Sequence, residues 1–161
     1  MPIEYLKKAP RTAESDNADL GKTVQSMLER IEEGGEAVVR EYASDFDKWE
    51  GEIVVSPDEI KAVREQVSDD LQRDIRFAHD NIRRFAEAQL GTISECSLEI
   101  VPGFRAGQKQ IPVRAAGCYV PGGRYSHIAS ALMTATTAKV AGVERITACS
   151  PPRAGAGIHP A

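Results

Sequence analysis

The sequence has no run of 18 apolar residues and no apolar segment framed as a secretory leader. The expectation is therefore a cytoplasmic protein with no membrane partner. Cysteine is scarce: Cys96, Cys118 and Cys149 are far apart and odd in number, and no C-x-x-C spacing occurs. That argues against a disulfide framework and gives no cysteine-based sign of zinc. Cys118 and Cys149 fall in expected strands, where free cysteines behave as small buried hydrophobes. The dinucleotide fingerprint G-x-G-x-x-G is missing, and so is H-E-x-x-H. His79, His127 and His159 are scattered over three unrelated segments, so they make no metal set. Positive charge is not in excess: 20 Lys and Arg stand against 24 Asp and Glu, a net charge of −4. No nucleic-acid footprint follows from that balance. What remains is an ordinary globular composition, 42% hydrophobic and 27% charged over 161 residues, enough for a real core.

Residues 1–17 are polar, carry Pro10 and read as an N-terminal arm. A helix follows, because Leu20, Val24, Met27, Leu28 and Ile31 fall on one stripe. Gly34-Gly35 ends it, since glycine takes positive φ without penalty. A second short helix carries Val38, Val39, Tyr42 and Phe46, and "GEIVVS" is a short strand or extended link. "SPDE" is a helix start: Ser56 caps, Pro57 needs no N–H there, and Glu59 can bond back to the cap. Ile60, Val63 and Val67 are its expected buried side. Ser68 with Asp69 and Asp70 opens the longest helix, to about Leu90, with a stripe of Leu71, Ile75, Ala78, Ile82, Phe85 and Ala86. Burying its four large members stabilises by roughly 6–12 kcal/mol as an upper limit. His79, Arg83 and Arg84 read as a solvated face, with Asp80 pairing to Arg84.

From Ser97 the period changes to two. "SLEIVPGFRAGQKQIPV" predicts an antiparallel hairpin around Pro102-Gly103. A strand from Arg114 to Val120, a helix from His127 to Val140 ended by Gly142, and a strand in "ERITACS" make a βαβ unit. Its strands are expected to be parallel. The small residues of this helix, Ala129 to Ala138, suit close packing on a sheet. The organisation expected is 1–17 arm, 18–113 helical region with hairpin, and 114–161 the start of a Rossmann-like domain. The fold class is α/β.

The first of these strands runs into "GCYVPGGRYSHIAS", Gly117–Ser130. In open α/β sheets ligands bind beyond the carboxyl ends of strands. Glycines let phosphates or a ring approach the backbone, and a helix start offers free N–H groups. Tyr119 can stack on a ring, Arg124 can fork onto an anion, and Tyr125, Ser126 and His127 add donors. The plain alternative stands beside this: Pro-Gly-Gly is a tight strand-to-helix turn, Ser126 an ordinary N-cap, and His127 part of the helix start.

"REYASDFDKWEG", "GCYVPGG", "ALMTATTAKVAGV" and "CSPP", in this order, resemble the N-terminal part of the histidinol dehydrogenase family. The runs "RYSHIAS", "FAHDNIRRFAEAQ" and "AGQKQIPV" look like its sulfopropanediol 3-dehydrogenase branch. The resemblance implies Rossmann-like domains, zinc and NAD as cofactors, and a homodimer with a site built from both chains. It implies oxidation of a primary alcohol through an aldehyde to a carboxylate, here dihydroxypropanesulfonate to sulfolactate, with histidinol as the alternative substrate. Tyr119 of "YVPGG" matches the family's NAD-contacting tyrosine, and Gly122 and Gly123 go with it. Arg124 and His127 are the candidates for selecting a small anionic alcohol. The family's zinc ligands and catalytic Glu-His pair have no counterpart here, so no catalytic and no metal residue is expected in this chain. One βαβ unit leaves a strand edge and a sheet face uncovered. The expectation is thus a fragment of a longer enzyme, inactive alone. A non-catalytic binding module is the rival reading.

Overall fold

The computed structural model describes residues 16–122, 125–153 and 156–161. The chain forms two compact units, divided between Glu50 and Gly51. Apart from residues 16 and 17, the expected N-terminal arm lies outside the described residues.

The first unit is a helical hairpin. Helix α1 (Asp16–Gly34) ends at Gly35, whose φ of 59° turns the chain into α2 (Glu36–Asp47). Met27 and Ile31 are half-buried, whereas Leu20, Val24 and Leu28 stay exposed, so only part of the expected stripe is covered. Polar contacts join the helices instead. Arg30 donates to both carboxylate oxygens of Glu41 at 3.0 and 2.9 Å and to the Tyr42 hydroxyl at 3.1 Å. Its guanidinium also lies 5.1 Å from the centre of the Tyr42 ring, which stacks on Phe46 at 5.6 Å. The hydrogen bond to Glu41, aided by that residue's charge, raises the Arg30 pKa above its ordinary value. Lys48 closes α2 in the left-handed region, φ 55°.

In the second unit, residues 51–56 form an irregular link with no strand. Helix α3 (Pro57–Arg64) starts with the full capping box. The Ser56 N–H donates to Glu59 Oε2 at 2.7 Å, and the Glu59 N–H donates to Ser56 Oγ at 3.2 Å. The carboxylate accepts while the hydroxyl reciprocates, so two otherwise unsatisfied donors are spent. The bond from the Ser56 N–H, aided by the Ser56 side chain, holds the Glu59 carboxyl below the usual carboxylate range. Val63 and Val67 are half-buried, but Ile60 is exposed.

Helix α4 (Asp69–Gly91) is capped by Ser68, whose hydroxyl accepts the Leu71 N–H at 3.3 Å. Leu71, Ile75, Ala78 and Ile82 are half-buried and Ala86 is buried. Phe85 is not part of that face: it is 66% exposed. One residue is about 100° of helix rotation, which carries position 85 to the flank while Ala86 faces inward. The stripe therefore stabilises less than its upper limit. Phe77 is also exposed, 71%. Asp80 bonds to His79 Nδ1 at 3.1 Å rather than to Arg84, and Arg83 reaches Glu87 at 3.9 Å.

Strands β1 (Cys96–Val101) and β2 (Phe104–Gln108) pair antiparallel around Gly103, φ 79°, with Leu98 opposite Ala106. Gln108 and Gln110 anchor the base by donating to the carbonyls of Ser94 at 2.6 Å and Ile93 at 2.7 Å. Among the described residues, neither strand packs on another named element, and both are exposed along their length.

The βαβ unit is β3 (Ala115–Tyr119), α5 (Ile128–Val140) and β4 (Arg145–Cys149). The strands are parallel, in register from Ala115 opposite Arg145 to Tyr119 opposite Cys149. Helix α5 packs on both strands and on α4. Its small residues permit that double packing, and Thr136 is buried within it. Cys118, Val143 and Ala86 are the buried hydrophobics among the described residues. Cys149 breaks the expectation: it is exposed. Strand side chains alternate between faces, and α5 covers the face of Ala116, Cys118 and Ile146, leaving Cys149 on the other. The fold is α/β, as its patterning predicts: helices, a hairpin, then one parallel βαβ unit.

Candidate functional site

The candidate site lies where β3 and β4 end side by side. The Val120 N–H donates to the Cys149 carbonyl at 2.8 Å, carrying the parallel pairing one step past the strands. Tyr119 stands at this edge, 63% exposed, on the sheet face away from α5. Its neighbour across the pair is Cys149, also exposed. In-register residues of adjacent strands project from the same face, with the strands about 4.8 Å apart. A flat group resting on the Tyr119 ring would thus lie beside the Cys149 thiol.

Pro121 and Gly122 follow, both half-buried. The backbone of Gly122 is not in the left-handed region. A Cβ there would lie 2.7 Å from Pro151 Cγ and 3.3 Å from the Pro151 carbonyl oxygen. The two chain segments that leave the strands therefore meet at this glycine. Gly123 and Arg124 lie outside the described residues.

Tyr125, Ser126 and His127 are exposed ahead of α5. His127, not Ser126, is the N-cap, and its side chain makes no capping bond. The first helical N–H groups fold back onto the His127 carbonyl, from Ser130 at 2.9 Å and Ala131 at 3.4 Å. That places Ser126 one residue outside the helix. A start with no side-chain cap leaves backbone donors for solvent or an anion.

Among the described residues, no three of His, Cys, Asp and Glu come together in a way that could hold a metal. His79 is engaged with Asp80, and His159 accepts from the backbone N–H of Ala161 at 3.2 Å. The arrangement offers an accessible aromatic face, a close-packed glycine turn and a helix start. These can hold a flat ring and an anionic group.

Two residues at this edge are not singled out by motif reading. Cys149 was expected in the core, and Pro151 only as the end of a strand. Aligning the last residues of the two strands would have placed Cys149 beside Tyr119. The contact of Pro151 with Gly122 has no local sequence signal.

Known proteins share the sequence and the fold of this chain. The Histidinol dehydrogenase family profile matches residues 10–161. Sulfopropanediol 3-dehydrogenase of Ruegeria pomeroyi is 60% identical over 161 residues, all of this chain and 37% of that protein. Histidinol dehydrogenase of Salmonella typhimurium is 36% identical over 152 residues, 94% of this chain and 35% of that protein. The crystal structure of histidinol dehydrogenase from Elizabethkingia anophelis superposes with a TM-score of 0.80 at 31% identity, covering 96% of this chain and 34% of that one. The chain thus spans little more than a third of the length of these relatives. With its sequence matched over nearly its whole length and its helices, hairpin and parallel pair matched in space, the chain belongs to the histidinol dehydrogenase family.

Proposed function

We propose that this chain supplies the dinucleotide-facing part of a zinc- and NAD-dependent dehydrogenase. The enzyme oxidises a primary alcohol through an aldehyde to a carboxylate, with dihydroxypropanesulfonate as substrate and sulfolactate as product. The observation that carries the reading is Tyr119, exposed at the carboxyl edge of a parallel strand and followed directly by the glycine turn. The 60% identity to sulfopropanediol 3-dehydrogenase favours the sulfonate substrate. In this reading Tyr119, Gly122 and Gly123 hold NAD, which accepts hydride from the alcohol when bound. Arg124 and His127 draw the permanently anionic substrate to the start of α5. Among the described residues no group of His, Cys, Asp and Glu fits zinc; in this reading the zinc ligands and the catalytic base belong to segments beyond these 161 residues. The protein works as a cytoplasmic homodimer. Among the described residues, no helix is long and apolar enough to cross a membrane.

The test is expression from the complete gene with zinc, followed by kinetics on dihydroxypropanesulfonate and histidinol. The sulfonate is expected to be preferred in kcat/KM. Tyr119→Ala is expected to raise the KM for NAD by about tenfold, the loss of a stacked aromatic contact. Arg124→Ala is expected to lower kcat/KM for the sulfonate and leave histidinol oxidation unchanged. Preference for histidinol would assign histidinol dehydrogenase instead. Absence of both NAD binding and turnover would leave a non-catalytic binding module.

A further inference from the structure

We infer that Gly122 is a positioning residue: its bare Cα seats the ring of Pro151, so that the segment leaving β4 holds the tyrosine-bearing turn leaving β3. The inference deepens the reading of Tyr119 and the glycine turn as an NAD site, and rests on it.

A glycine serves one of two needs, a backbone conformation or space. Conformation is not the need here, because the φ of Gly122 lies outside the left-handed region, unlike Gly103 at 79° or Gly142 at 82°. Space is the need. A Cβ on residue 122 would meet Pro151 Cγ at 2.7 Å, Cδ at 3.2 Å and the carbonyl oxygen at 3.3 Å. Gly117, within β3 itself, has nothing within 4 Å of the same position. Along this chain segment the tight approach thus falls at the exit and not within β3. Pro151 Cγ and Cδ belong to a ring closed onto the backbone, and no rotamer change swings them away. Relief requires one chain segment to move against the other.

The two exits are fastened twice. The Val120 N–H bonds the Cys149 carbonyl at 2.8 Å, and two residues further along each chain Gly122 packs on Pro151. Tyr119 stands one residue before the first fastening, so a displacement at the second is transmitted through a short, stiff segment to the ring that faces the ligand. In a bound complex, small misplacements of positioning groups weaken recognition strongly. Gly122 and Pro151 therefore act as one packed unit, although 28 residues of sequence, Gly123 to Ser150, separate them.

A double-mutant cycle on the protein from its complete gene tests this, with G122A, P151A and G122A/P151A. NAD affinity is read by calorimetry, KM and kcat by steady-state kinetics, and stability by thermal unfolding. G122A is expected to weaken NAD binding by about tenfold, with the effect in KM for NAD and less than about twofold in kcat at saturation. In the P151A background the same glycine-to-alanine step is expected to cost less than about threefold, because Cγ and Cδ are gone. An equal loss in both backgrounds overturns the inference: the ligand itself, not Pro151, would then need the bare Cα. Should the wild-type protein bind no NAD, the proposed function falls, and the cycle is read in melting temperature alone. Recovery of the G122A deficit by P151A upholds the packing role, and no recovery overturns it.

Discussion

Two substitutions on α4, one that enlarges a side chain and one that removes a ring, are expected to have very unequal costs. Ala86→Leu enlarges a residue that is 8% exposed, on the face packed toward α5. Phe77→Ala removes a phenyl ring that is 71% exposed. They lie nine positions apart, which at about 3.6 residues per turn places them on opposite sides of the helix. At position 86 the added branched carbons must displace packed neighbours, at about 1–3 kcal/mol. At position 77 little contact is lost and alanine favours the helix, so the change stays within about 0.5 kcal/mol. In a chain of this size 1 kcal/mol moves the melting temperature by roughly 2–4 °C. Thermal unfolding of the 161-residue chain, followed by circular dichroism, should therefore show Ala86→Leu melting several degrees below the parent and Phe77→Ala melting with it. The reverse order would refute the assignment of faces on α4.

Ser56→Ala removes the cap of α3 and is expected to cost about 1 kcal/mol of local stability, seen as faster amide exchange across residues 57–64. The Glu59 carboxyl is held below its ordinary pKa by the Ser56 N–H and hydroxyl. Its contribution is therefore complete above the unfolded carboxylate pKa and fades as pH falls through the lower folded value; Glu59→Gln should abolish that acid-side dependence. Gly142→Ala places a side chain at φ 82°, 3.3 Å from the Pro112 ring, and should lower stability by about 1 kcal/mol or more. Gly91→Ala, with nothing within 4 Å, should be neutral or stabilising in the same unfolding assay. A thiol reagent should label Cys96 and Cys149 in the native chain and spare Cys118, which is 4% exposed; fast labelling of Cys118 would contradict the packing of α5 on β3.

Local chemistry made much of this fold legible. The capping box at Ser56 and Glu59 states its own geometry, and Gly35, Gly103 and Gly142 mark turns that need positive φ. The hairpin followed from side-chain period around Pro102-Gly103, and the parallel pair from the strand–helix–strand order. Burial was less legible, because a stripe shows which residues can be covered, not what covers them. Phe85 continues the apolar row of α4 yet falls on the flank of the α5 contact. Cys149 has the character of a core residue but the wrong parity for the covered face. At the candidate site, Tyr119 could be named from its motif and its place at a strand end. The contact of Gly122 with Pro151 could not, since it joins two strand exits that only the parallel pairing brings together.

The β1–β2 hairpin shares its backbone bonds only between its own two strands and is held at the base by Gln108 and Gln110. A ribbon tied at one end and touching no other named element can come apart without disturbing the helices. Limited proteolysis should nick this chain first near Pro102-Gly103, leaving α4 and the βαβ unit intact.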